Sequence, residues 1–196
     1  MAMEAGEIQE GEPMGLFGNP KSSVEKKAAE FDFGERKELA GPLPVVENLV
    51  ETVQWLENAR QKVSSGNASC CLVVCAPNSI DGVAMELTVG EIANRFAHSL
   101  RSYDAIFRHG RDKLLVALPH VKPSDAPAVL QRLKAIIARL PFKLPNQSVD
   151  ISVTVSLGGV MMDSSPVQEL INRADKAMEA GRISGNYTCM WTSDLH

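Results

Sequence analysis

Arg101 and Asp104 stand three residues apart in the run Arg101-Ser-Tyr-Asp104-Ala-Ile-Phe-Arg108-His-Gly110. Guanine presents O6 and N7 as paired acceptors, which suit the planar fork of an arginine. Its N1–H and N2–H2 donors suit a carboxylate. Two side chains at i and i+3 where a helix ends can point the same way, so this pair offers both halves of a guanine contact. The same spacing also describes a solvated salt bridge, worth at most about 1 kcal/mol.

Gly110-Arg111-Asp112-Lys113 is a second place to look for chemistry. Arg111 and Lys113 in a turn attract a phosphate or an acidic partner, or are exposed charges on a surface turn, which is the reading preferred here. Arg108 just before the turn is an accessory candidate, although an arginine at a strand edge also covers apolar surface with its stem. His109 and His120 lack companions at metal-ligand spacing and read as loop residues, and His98 is given no role. Cys70, Cys71, Cys75 and Cys189 show no zinc-ligand spacing; three of them share one apolar segment, so core packing is expected.

The chain of 196 residues is 44% hydrophobic and 22% charged, which suits one domain with a tail. Residues 1–40 hold nine Asp/Glu and five Lys/Arg, whereas residues 41–196 hold fifteen of each, so the formal net charge of −4 resides at the N-terminal end. A neutral body without a basic stripe argues against a general nucleic-acid binder. No apolar run approaches the roughly 18 residues that span a bilayer, so no membrane span and a cytoplasmic location are expected. Residues 1–38 are rich in Glu, Gly and Lys and lack periodic apolar positions, so this acidic segment is expected to be disordered. Leu16-Phe17 and Phe31-Asp-Phe33 within it leave two readings open, a loose tail or a short motif that binds a protein partner.

Helical periodicity over residues 45–59 places Val45, Val46, Leu49, Val50, Val53, Leu56 and Ala59 on one apolar face. Residues 70–76 read as a strand buried on both faces. A helix from about Glu86 ends near Arg101, and residues 105–109 and 113–118 form a hairpin around Gly110. Ser124 and Asp125 offer N-caps to a helix whose apolar side is Val129, Leu130, Leu133, Ile136, Ile137 and Leu140. Residues 151–157 alternate as a strand that Gly158-Gly159 ends. A last helix starts near Ser165-Pro166 and buries Val167, Leu170, Ile171, Ala174 and Met178, and residues 187–191 give a final strand. This order predicts an α+β fold: a ferredoxin-like palm with a βαββαβ core plus an extra helix and strand, its sheet mostly antiparallel with helices packed on it.

The segment around Arg101 resembles the centre of the GGDEF, or diguanylate cyclase, family, in which an RxxD pair stands five residues ahead of the Gly-Gly-Asp/Glu-Glu-Phe turn. Val153-Thr-Val-Ser-Leu-Gly158 resembles that family's Thr/Val-Ser-Ile-Gly strand. Ala174-Asp175-Lys-Ala177-Met178, with Arg182 and Gly185, resembles its Ala-Asp-x-Ala-Leu-Tyr helix. Leu39 and Gly41 match the family's opening, while Lys37, Ala40 and Pro44 replace its Asp, Thr and Asn. The resemblance covers about residues 39–191, so the chain is expected to divide into a tail, 1–38, and a degenerate GGDEF domain, 39–196.

The resemblance also implies what is missing. Joining two GTP molecules takes divalent metal, and hard cations take carboxylate oxygens. Where the family has Asp-x-Asp-x-Phe-Lys at the end of the first strand, this chain has Cys75-Ala76-Pro77-Asn78-Ser79-Ile80, and the following connection is about seven residues shorter. Arg111 replaces the second Gly of the turn and Lys113 an acidic residue, leaving Asp112. In the family a further arginine on the next helix completes an inhibitory site for cyclic di-GMP; counting from Pro119 reaches Arg132, off the apolar face. The expectation is a catalytically inactive receptor that binds cyclic di-GMP through Arg101, Asp104 and Arg132 and signals to a protein partner, without metal or other cofactor. The family's intercalated ligand dimer also implies ligand-linked homodimerisation. The rival readings are a protein scaffold that binds no nucleotide and a residual cyclase.

Overall fold

The computed structural model describes residues 41–78, 83–143 and 150–195. The expected tail, the Lys37, Leu39 and Ala40 correspondences and Ser79-Ile80 lie outside the described residues. The elements run β1 (Val45–Val46), α1 (Leu49–Ser64), β2 (Cys70–Pro77), α2 (Val83–Ser99), β3 (Ala105–His109), β4 (Lys113–Pro119), α3 (Ala126–Ala138), β5 (Val155–Met161), α4 (Val167–Ile183) and β6 (Thr188–Met190). They build the expected α+β palm.

β2 is buried along its whole length because both of its faces are covered. Cys71, Val73 and Cys75 pack with Val89, Ile92 and Phe96 of α2 and Leu130, Leu133 and Ile137 of α3. Cys70, Leu72 and Val74, alternating with them, pack with Trp55, Leu56 and Ala59 of α1 and Leu170, Ala174 and Met178 of α4. The helices therefore cover both faces of a six-stranded sheet of order β1-β3-β4-β2-β5-β6. Its central pairs, β3–β4, β4–β2 and β2–β5, are antiparallel, and only the flanking pairs β1–β3 and β5–β6 are parallel. Each fully buried Leu or Phe of these clusters contributes roughly 1.5–3 kcal/mol. Burial pushes the Cys71 thiol up to about 12 and raises Cys70 and Cys75 as well, leaving inert core thiols. Among the described residues no helix is long and apolar enough to cross a membrane.

The structure corrects four local expectations. Val45–Val46 is not the first turn of a helix but a strand paired parallel with Ile106 and Phe107. Extended Asn48 then starts α1, its Oδ1 accepting from the N–H groups of Val50 and Glu51 at 2.9 and 3.4 Å. That start turns the helix so that Thr52, Trp55, Leu56 and Ala59 are buried, while Leu49 and Val50 are each 73% exposed. Asp125 makes no side-chain cap to α3; Ser124 donates to it instead at 2.9 Å. Gly158 and Gly159 lie inside β5 rather than after it. A Cβ on Gly158 would stand 2.1 Å from the Ala174 carbonyl oxygen, so α4 crosses the sheet at a distance only glycine allows.

Candidate functional site

The hairpin of β3 and β4 has a base and a tip, and the residues singled out by sequence divide between them. At the base, the chain leaves α2 through a tight turn. The Asp104 N–H donates to the Arg101 carbonyl at 3.0 Å, and the Arg101 N–H donates back to Asp104 Oδ2 at 2.8 Å. This is a side-chain-closed turn of the kind aspartate favours. It draws the carboxyl inward, leaving Asp104 only 7% exposed while Arg101 stays on the surface. The solvated salt bridge is therefore not what forms, because the contact runs through the arginine's backbone.

Burial pushes the Asp104 carboxyl up to about 6, against the Arg101 N–H and the charges of Arg101, Arg132 and His120, which all favour the ionised form. Those three groups come from three places. Arg101 leads into β3, His120 follows β4, and Arg132 stands exposed on α3, off the face formed by Leu130, Leu133 and Ile137. The fold thus brings Arg101, Asp104 and Arg132 together, and adds a histidine that sequence assigned to a plain loop. His120 sits at φ 62, and its N–H donates to the Ser69 carbonyl at 2.8 Å. Its ring stands edge-on to Tyr103, with centroids 5.5 Å apart. Tyr103 in turn accepts a 2.8 Å hydrogen bond from Arg101 Nη1. Tyr103 went unassigned in the sequence, although an aromatic residue inside the Arg-to-Asp interval was a signal available there.

The cluster offers two guanidinium groups and a carboxylate within one surface region. Guanidinium forks donate in pairs to a base edge or a phosphate, and a carboxylate accepts from guanine's N–H groups.

The tip is built differently. Gly110 takes φ 70, a backbone conformation that suits glycine, and Arg111 and Asp112 are exposed. Lys113 is not a free surface charge: its Nζ pairs with Asp175 Oδ1 of α4 at 2.6 Å. The half-buried Arg108 sends Nη2 toward the Arg111 carbonyl, 3.4 Å away, so its head belongs to the tip rather than to the base.

Beside the tip, β2 is followed by Asn78, whose side-chain bonds are all internal. Its N–H donates to the Thr154 carbonyl at 2.9 Å, and Nδ2 donates to Thr154 Oγ1 at 3.1 Å. Its Oδ1 accepts from Ser156 Oγ at 2.7 Å and from Arg182 Nε at 3.2 Å. Arg182 also donates to Glu179 at 2.9 Å. One amide thereby ties the end of β2 to β5 and α4. A hard divalent cation needs carboxylate oxygens, and this position offers an amide oxygen already shared by two donors. Among the described residues no three His, Cys, Asp or Glu side chains gather as a metal site would require.

Residues 86–187 match the family described as "Diguanylate cyclase, GGDEF domain". Diguanylate cyclase DosC of Escherichia coli K12 is 26% identical over 107 residues, which is 54% of this chain and 23% of DosC. The chain thus corresponds to about a quarter of that relative's length. Among solved structures, the GGDEF domain of DgcB from Caulobacter crescentus in complex with c-di-GMP superposes with a TM-score of 0.65 at 16% identity, covering 79% of this chain and 92% of that one. Diguanylate cyclase SiaD of Pseudomonas aeruginosa, in complex with its activator SiaC, gives a TM-score of 0.63 at 22% identity, covering 86% and 66%. At these identities the structural likeness speaks for the fold.

Proposed function

The chain belongs to the GGDEF family, and from that premise we propose that it is a catalytically inactive member that binds cyclic di-GMP through Arg101, Asp104 and Arg132. The observation that carries this reading is the Asp104 carboxyl, buried yet surrounded by the charges of Arg101, Arg132 and His120. Burying a carboxylate is unfavourable unless it is paired and hydrogen-bonded. The turn could be closed by an asparagine at no such cost, so an acid here is well suited to a ligand rich in N–H donors.

The geometry orders the roles. Arg101, exposed and with its fork held by Tyr103, takes the O6/N7 edge of a guanine; Asp104 accepts from the N1–H and N2–H2 edge; Arg132 supplies a second guanidinium to a base or a phosphate. DgcB, of the same fold, was solved with c-di-GMP bound. The ligand is a self-intercalating dinucleotide in this family, so occupancy can bring two copies together. A protein partner receives the signal; that a protein can dock on this fold is illustrated by SiaD, solved in complex with its activator SiaC.

Inactivity rests on the tip. Asn78 is committed to Thr154, Ser156 and Arg182, and Lys113 to Asp175, where metal chemistry on triphosphates would need free carboxylates. No metal cofactor is part of the proposal.

A second reading, a scaffold that binds protein and no nucleotide, draws on Leu49 and Val50, which leave apolar surface exposed on α1. Calorimetry with cyclic di-GMP separates the two: saturable heat supports the receptor, and no heat with no thermal shift at high micromolar ligand overturns it. Incubation with GTP and Mg²⁺ or Mn²⁺ should yield no cyclic di-GMP; turnover in a cyclase-free preparation would overturn the inactive half of the reading.

A further inference from the structure

Arg101 is an exposed side chain with many rotamers, and a long flexible arginine loses rotamer freedom when it is fixed against a ligand. Three observations at the base of the hairpin bear on that cost. Arg101 Nη1 donates to the Tyr103 hydroxyl at 2.8 Å, with the guanidinium carbon 5.8 Å from the centre of the Tyr103 ring. The His120 ring meets Tyr103 edge-on at an interplanar angle of 83°. His120 itself is held at φ 62, where a non-glycine residue persists only if its surroundings impose it, and its N–H is fixed to the Ser69 carbonyl.

The pairing of β3 with β4 explains why these residues meet. Ala105 lies opposite Ala117, so the residues just before β3 and just after β4 stand side by side at the base. Tyr103 and His120 are 17 positions apart in the chain but adjacent in space.

Resting on the receptor reading above, we infer that Tyr103, braced by His120, is the positioning residue of the guanine site: its hydroxyl holds the Arg101 fork in place before the ligand arrives. The hydroxyl acts as an acceptor toward Arg101. Removing the oxygen while keeping the ring therefore releases the fork and leaves the edge contact with His120 intact. The left-handed backbone of His120 is the strained part of the brace, and glycine at that position relieves the strain while deleting the ring.

The test uses the full chain with Tyr103→Phe and His120→Gly beside Arg101→Ala, each first checked by thermal melting. Tyr103→Phe should bind cyclic di-GMP about fivefold more weakly, because the cost of ordering one arginine side chain then falls on the binding step. His120→Gly should weaken binding with a melting temperature unchanged or raised. A ligand-free readout accompanies these titrations: the Arg101 Nε–H resonance, assigned by its loss in Arg101→Lys, should show restricted motion in the wild type and faster motion in Tyr103→Phe. Equal motion in both overturns the brace whatever the ligand does. Wild-type binding with Tyr103→Phe unaffected overturns the positioning role alone, and a His120→Gly protein that melts earlier but binds normally marks that contact as merely structural. A wild-type protein that binds no cyclic di-GMP instead overturns the receptor reading on which this role depends.

Discussion

The base and the tip of one hairpin, five residues of strand apart, treat their polar side chains in opposite ways. At the tip, Lys113 is paired with Asp175, and the neighbouring Asn78 satisfies Thr154, Ser156 and Arg182. These two polar groups are consumed by the fold and contribute to its stability. At the base, Asp104 keeps a buried carboxyl with a raised pKa, and Arg101 and Arg132 keep exposed guanidiniums. On the receptor reading these are the groups that meet the ligand. The lesson is that a polar cluster is judged by where its hydrogen bonds go, not by how many charges it contains.

Substitutions at the two ends should separate stability from binding. Arg101→Ala should lose about ten- to a hundredfold in affinity for cyclic di-GMP, the value of one bidentate guanine contact of about 1–3 kcal/mol, while its melting temperature stays at the wild-type value. Asn78→Ala should do the reverse. It strands the fully buried Ser156 hydroxyl and takes the partner of Arg182 Nε, so unfolding in denaturant should show a loss of about 1–3 kcal/mol, with affinity unchanged. A destabilised Arg101→Ala protein, or a weakly binding but stable Asn78→Ala protein, would erase the distinction.

Acid should act on the base in two opposed directions. Asp104 has its folded pKa raised from 3.8 to about 6, so between those values the folded chain binds the proton more readily than the unfolded one. The contribution of this group to stability is therefore greatest at low pH and is lost as pH rises through about 6. On the receptor reading guanine's N–H groups need the ionised form, so affinity should level off only well above pH 6 and fall about tenfold per pH unit below it. The groups facing the carboxyl are Arg101, Arg132 and His120. Titrations of wild type and Asp104→Asn across pH 5 to 8 isolate the carboxyl. The asparagine still accepts the Arg101 N–H, and the steep acid limb should vanish.

Two smaller effects sharpen the comparison. Arg132→Ala should weaken binding by a few-fold, about 1 kcal/mol for a contact made from the neighbouring helix, and a loss as large as that of Arg101→Ala would make it a primary reader. Lys113→Ala should change stability by no more than about 1 kcal/mol, since its pair with Asp175 is only partly buried, and should leave affinity untouched.

The palm was legible because β2, α2 and α4 carry apolar residues at the periods that their buried faces demand. α1 was not, since Leu49, Val50 and Val53 share the same period as Trp55, Leu56 and Ala59. Only the Asn48 cap and the packing on the sheet select which stripe turns inward. Gly158-Gly159 looked like a strand end because closeness to α4, a tertiary fact, leaves no local trace. Arg101 and Asp104 could be named from their spacing and Arg132 from the resemblance, but the burial of Asp104 could not, because the elements that cover it come from elsewhere in the chain. Asn78 was hidden for the same reason. Its side-chain partners lie 76, 78 and 104 positions away.

The most direct test of the division between base and tip is a backbone resonance map of the ¹⁵N-labelled chain titrated with cyclic di-GMP. The account predicts shifts concentrated at Arg101, Tyr103, Asp104, His120 and Arg132, with Asn78, Arg111, Lys113, Ser156 and Arg182 unmoved. Shifts centred on Asn78 and the Gly110 turn, with the base silent, would contradict it.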